Sequence, residues 1–112
     1  MSQAPNYKIG FVNAFNLFIT CFMLETVRLV VEGKVQGVFY RQSTKEKASA
    51  IGIMGTVRNL PNGAVEIIAT GTAEQLHQLT EWCNRGPSKA VVTKVSSSPL
   101  PLQPFNNFTI IR

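Results

Sequence analysis

The sequence predicts an α+β fold: a two-layer sandwich of order βαββαβ with a short terminal strand, an antiparallel sheet carrying two helices on one face. Three observations predict it. Apolar residues recur at period two in several short runs, as in half-buried strands. Two longer stretches between those runs switch to helical spacing. Capping and turn signals, above all Asn62-Gly63 and the Thr72–Gln75 box, separate one run from the next. Hairpin-linked strands alternating with helices in this order form split βαβ units, which bury their apolar faces as one sheet against one layer of helices.

A chain of 112 residues, 45% hydrophobic and 15% charged, suits one compact domain and excludes a disordered one. The six acids are all glutamates, set against 11 Lys and Arg for a net charge of +5. Such a surface favours anionic partners. The cations are scattered, so the charge fits attraction of a small anion at least as well as nucleic-acid binding. Cys21 and Cys83 lie far apart and form no C-x-x-C pair. Neither a structural zinc nor a disulfide framework is indicated, and two reduced thiols in a cytoplasmic protein are expected.

Residues 1–25 form an N-terminal extension ahead of a domain spanning 26–112. Within it, "IGFVNAFNLFITCFML" (residues 9–24) is uncharged and largely apolar. It is short for a stable membrane span, which needs about 20 residues, and lacks a signal cleavage site. Three readings stand: a helix packed on the domain, a weakly membrane-associating segment, or an upstream extension of a chain whose working start is Met23. Phe11, Phe15, Phe18 and Phe22 fall on one helical stripe, a surface expected to favour self-association.

The domain opens with a strand over residues 27–31, where Val27, Leu29 and Val31 alternate with Arg28, Val30 and Glu32. After a loop, Tyr40, Thr44, Ala48 and Ile51 mark one face of a helix that Gly52 ends. Residues 54–60 read as a second strand, joined through "LPNG" to a third over 65–70. Thr72 and Gln75 form a capping box for a second helix whose stripe is Leu76, Leu79 and Cys83, with Trp82 beside it. Arg85, a cation in the last turn, then Gly86 and Pro87 stop it. His77 lies off the stripe and reads as an exposed surface residue. Residues 91–95 are a fourth strand, "SSSPLPLQP" a turn-rich connection, and residues 105–111 the terminal strand.

The stretch that organises the chain is "GKVQGVFYR", Gly33–Arg41. It holds two glycines, no acid, and an arginine at the start of a helix. A helix N-terminus carries about half a positive charge, so a cation there is unfavourable unless an anion joins it. Open backbone N–H groups and a guanidinium fork together suit phosphate. The plain alternative is a tight strand-to-helix turn with a solvated arginine. Neither the Walker nor the dinucleotide pattern is present.

Taken together, "VEGKVQGVFYR", then "GTVRNLPNGAVEI", "GP" and a closing "FTIIR" resemble the acylphosphatase family from about Val27 to Arg112. The resemblance implies a ferredoxin-like architecture and metal-independent, cofactor-free hydrolysis of small acyl phosphates to a carboxylate and inorganic phosphate. It implies that Arg41 binds phosphate and that Asn59 positions the attacking water. Gln36, Gly37, Val38, Phe39, Tyr40 and Arg41 would form the phosphate-binding loop. The 25-residue extension departs from the family pattern.

The residues lead the same way. A right-handed crossover brings the ends of strands one and two to one edge, so Asn59 and the loop can converge while Arg58 points to the other face. No Ser-His-Asp set, paired carboxylates or metal-ligand cluster is visible, which leaves positioning and charge stabilisation. Phosphoryl transfer from an acyl phosphate can run on those, because a carboxylate leaves without a general acid. The rival class is an RNA-binding sandwich without catalysis. That needs aromatics on the central strands, and strands one and three offer none.

Overall fold

The computed structural model describes residues 23–112. The expected extension over 1–25 therefore lies, but for its last three residues, outside the described residues. Strand β1 (Glu25–Lys34) is followed by helix α1 (Tyr40–Ile51), β2 (Met54–Asn59), β3 (Val65–Gly71), helix α2 (Ala73–Cys83), β4 (Val91–Leu100) and β5 (Phe108–Ile111). The sheet order is β4-β1-β3-β2-β5. Helix α1 lies over β2 and β5, and α2 over β3, β1 and β4. The layer between holds Leu29, Val31, Val57, Val65, Ile67 and Ala69 from the sheet, packed with Ala48, Leu76 and Leu79 from the helices.

One expectation needs correction: the sheet is mixed. β3 pairs antiparallel with both β1 and β2, and β4 antiparallel with β1, but β5 runs parallel to β2. The reason lies in the path of the chain. β4 ends opposite the start of β1, where Leu100 faces Thr26. The chain then crosses to the far edge of the sheet at that end, so β5 must run the same way as β1 and β2. The strand ends of β1, β2 and β5 consequently gather at one edge.

The stretch expected as a loop, Ser96–Leu100, continues β4 instead. It is an edge strand, where Pro99 can sit without leaving a ladder bond unmade. The remainder, Pro101–Asn107, straps the sheet and delays the last strand to Phe108. Two buried hydroxyls hold the strap. The Gln103 backbone N–H donates to Thr26 Oγ1 at 2.9 Å, and Thr70 Oγ1 donates to the Gln103 carbonyl at 2.7 Å. Thr70 has then used its only proton, so in the 2.6 Å contact between the two hydroxyls Thr26 is the donor.

Local signals account for the rest. β1 continues past a bulge between Glu32 and Gly33 as far as Lys34, so the first two residues of the expected loop belong to the strand. Tyr40, Thr44 and Ala48 are the buried face of α1, which ends at Gly52. Thr72 caps α2 with a complete capping box, Gln75 N–H to Thr72 Oγ1 at 3.2 Å and Thr72 N–H to Gln75 Oε1 at 2.9 Å. The helix stops at Cys83, so Arg85 falls beyond its last turn. The β2–β3 hairpin has the three-residue form, Pro61-Asn62-Gly63, closed by Leu60 N–H to the Ala64 carbonyl at 2.8 Å, with Gly63 at φ 94°.

Candidate active site

A pocket of about 430 Å³ opens at the edge where β1, β2 and β5 end. It is lined by the loop and first turn of α1 (Gly37, Phe39, Tyr40, Arg41, Gln42), by Asn59 from the end of β2, and by Ile110 and Arg112 from the end of β5.

The loop is built to leave amides free. Gly37 has φ 75° and Phe39 φ 63°, both left-handed. A Cβ on Gly37 would meet nothing within 4 Å, so conformation and not space calls for glycine there. Phe39 is the N-cap of α1 and makes no side-chain capping bond. The first helical bond runs from Ser43 N–H to the Phe39 carbonyl at 3.0 Å. The amides of Tyr40, Arg41 and Gln42 therefore have no partner inside the helix. A left-handed residue followed by a right-handed one turns successive N–H groups toward a common point, an anion-binding concavity at the positive end of the helix dipole. No acid occupies the first turn of α1. Arg41 is half-exposed and forms no ion pair among the described residues.

Asn59 supplies the opposite polarity. Its Oδ1 is buried and accepts no hydrogen bond from the described residues. A buried amide oxygen without a partner is destabilising by roughly 1–3 kcal/mol, which favours an occupant with a proton to donate.

Two residues of the expected phosphate-binding loop, whose backbone was expected to face the anion, turn their side chains elsewhere. Gln36 does not line the pocket; its Nε2 donates to the carbonyls of Leu60 (2.9 Å) and Ala64 (2.8 Å). It thereby ties the loop to the hairpin that carries Asn59. Val38 is buried in the core and plugs the loop from below. Tyr40 lines the pocket, yet its ring belongs to the core. The hydroxyl donates to the Cys83 carbonyl at 2.8 Å and the ring lies 5.6 Å from Trp82, tilted by 51°. Burial first, then Cys83, raises the Tyr40 phenol far above its ordinary range, so it is no acid or base at neutral pH. Burial likewise pushes the Cys83 thiol up to about 12 and leaves it unreactive. Arg58 points away from the pocket, as alternation predicts, and joins Arg28 on the buried Glu66 carboxylate at 2.7 and 2.6 Å. His77 is exposed on α2, away from this edge.

Sequence reasoning missed Gln42, Ile110 and Arg112. The signal for the last two was weak, since the terminal strand reaches this edge only because β5 runs parallel to β2.

A family model described as acylphosphatase matches residues 27–110. An acylphosphatase of Marinobacter nauticus is 54% identical over 81 residues, which cover 71% of this chain and 88% of that protein. Solved acylphosphatases from Coxiella burnetii and Bacillus subtilis each superpose with a TM-score of 0.76, at 35% and 32% identity. Those alignments cover 79% and 80% of this chain, and 93% and 100% of the two structures.

Proposed function

The chain belongs to the acylphosphatase family and hydrolyses acyl phosphates to a carboxylate and inorganic phosphate, and from that premise we propose which of its residues do the work. The phosphoryl group sits against the free amides of the first turn of α1, clamped by the Arg41 guanidinium. Arg112 adds positive charge at the same pocket. The Asn59 amide oxygen accepts a hydrogen bond from a water and points it at phosphorus. Water oxygen bonds to phosphorus as the bond to the acyl oxygen breaks, and the electron pair leaves with the carboxylate. The proton lost by the water passes to a phosphoryl oxygen. The transition state spreads charge over the phosphoryl oxygens, where the fixed donors act without reorganising.

One observation carries this reading. A guanidinium unpaired among the described residues, uncapped helix amides and a buried amide oxygen that accepts from none of them meet in one pocket. Arg41→Gln should lower kcat/KM for benzoyl phosphate by about two to three orders of magnitude. It should also weaken competitive inhibition by phosphate. Asn59→Ala should lower kcat about 100-fold and leave the phosphate inhibition constant within about threefold. Near-normal turnover in Arg41→Gln, or an equal loss of phosphate affinity and turnover in Asn59→Ala, overturns these roles.

The reaction is proposed to need no metal. In support, the described residues include no group of three or more His, Cys, Asp or Glu able to hold one. Activity should survive EDTA, and recovery on added magnesium after a loss would reject the scheme. Nucleic acid is not a proposed partner, because the open sheet face carries Arg28, Val30, Thr56, Arg58, Glu66 and Ile68 without an aromatic platform. No helix among the described residues is long and apolar enough to cross a membrane. A cytoplasmic setting is proposed, and the buried free thiol of Cys83 is consistent with it.

A further inference from the structure

Phe39 is anomalous in two ways. It is the only non-glycine residue with positive φ among the described residues, at φ 63° and ψ 25°. For a bulky side chain this conformation is an outlier that glycine would adopt without strain. The residue is also 77% exposed and belongs neither to the core nor to the apolar residues packed on it. Strain and exposed apolar area both oppose the folded state, and no packing among the described residues offsets them. The backbone conformation is explained by the amide concavity, but the choice of phenylalanine is not.

The pocket supplies an explanation. Phe39 lines it together with Arg41, Asn59 and the half-buried Ile110. In-line displacement places the attacking water and the departing acyl group on opposite sides of phosphorus. Asn59 Oδ1 is buried, whereas Phe39 is exposed at the mouth. With water held at the floor, the acyl group points outward, past the aromatic ring.

We propose that Phe39 is a specificity residue. Its ring is the surface on which the acyl group rests, and the protein favours acyl phosphates with flat or bulky apolar acyl groups over small ones. This rests on the placement of phosphate at Arg41 and the α1 amides. Contact with one aromatic ring is commonly worth about tenfold in discrimination.

The test uses the full chain with benzoyl phosphate and acetyl phosphate, whose leaving carboxylates differ little in basicity. The readout is the ratio of their kcat/KM values, each corrected for the uncatalysed rate. The wild-type ratio should favour benzoyl phosphate. Phe39→Gly should lower that ratio about tenfold, and Phe39→Tyr should keep it. Phe39→Ala serves as a second truncation; it retains the left-handed strain and should melt below Phe39→Gly. A wild-type ratio that does not favour benzoyl phosphate overturns the proposal. So does an equal loss on both substrates in Phe39→Gly, because the ring would then only shape the loop. Failure of the wild type to hydrolyse either substrate would instead sink the functional reading, and this proposal with it.

Discussion

Glu66 shows how a single side chain can hold a sheet face together. It is buried on the open side and takes the guanidinium Nε of Arg28 at 2.6 Å and of Arg58 at 2.7 Å, from the strands on either side. Burial alone would raise its carboxyl. Hydrogen bonds from Arg58 and Arg28, with their charges, outweigh burial and hold it below the ordinary 4.5. A carboxyl lowered in the folded state adds stability that is complete above its unfolded value. That stability is lost as pH falls through the folded value. Glu66→Gln should therefore destabilise at pH 7 by about 1 kcal/mol. The figure is low because the two arginine side chains stay 40% and 49% exposed and are screened by solvent. The gap between wild type and variant should close progressively below about pH 4.5. Denaturation midpoints at pH 7 and pH 3 decide the matter, and a gap that persists in acid would contradict it.

At the scale of elements, the proposed phosphate-binding loop depends on how α1 is anchored. Its first residue, Tyr40, is pinned by the Cys83 carbonyl, by Trp82 and by the turn after α2. Gly86 sits in that turn at φ 68°, and a Cβ there would meet the Tyr40 ring at 2.6 Å. Glycine is required twice, for conformation and for room. Gly86→Ala should cost more than about 1 kcal/mol and also lower kcat/KM, because the displaced ring starts the helix whose amides face the pocket. Thr72→Ala is the control. It breaks the capping box of α2, costs about 1 kcal/mol, and should leave kcat/KM within about twofold. Thermal melts and steady-state kinetics of both variants separate the two effects. Equal activity in the two would mean that the Tyr40 anchor does not govern the loop.

For the whole molecule, the proposed boundary near residue 25 can be tested directly. β1 begins at Glu25, and every strand and helix from there on lies within residues 25–111. A chain shortened to residues 23–112 should fold cooperatively and keep kcat/KM within about threefold, since a core of this size needs no further staple. The aromatic stripe in the sequence of residues 11–22 predicts that the full chain associates more. Size-exclusion profiles and melts of the two chains give the answer. An unfolded or inactive short chain would make the first 22 residues part of the domain.

The amino-acid sequence by itself determined the number and order of the elements and the family to which the chain belongs. Period-two and helical patterns, the Thr72–Gln75 box and Asn62-Gly63 are local signals, and each acts within a few residues of itself. The pairing of Arg41 with Asn59 was also legible, because a right-handed crossover constrains where two strand ends meet. Other features were decided only by tertiary structure. The direction of β5 follows from the strap held by Thr26 and Thr70, and it alone brings Ile110 and Arg112 to the pocket. Ser96–Leu100 looks like a loop by composition, but an edge position beside β1 tolerates Pro99 and leaves the stretch a strand. Gln36 and Val38 differ from their neighbours in the loop because one meets the hairpin carbonyls and the other the core. Such partners are far away in sequence, so no pattern confined to a short window of the chain can report them.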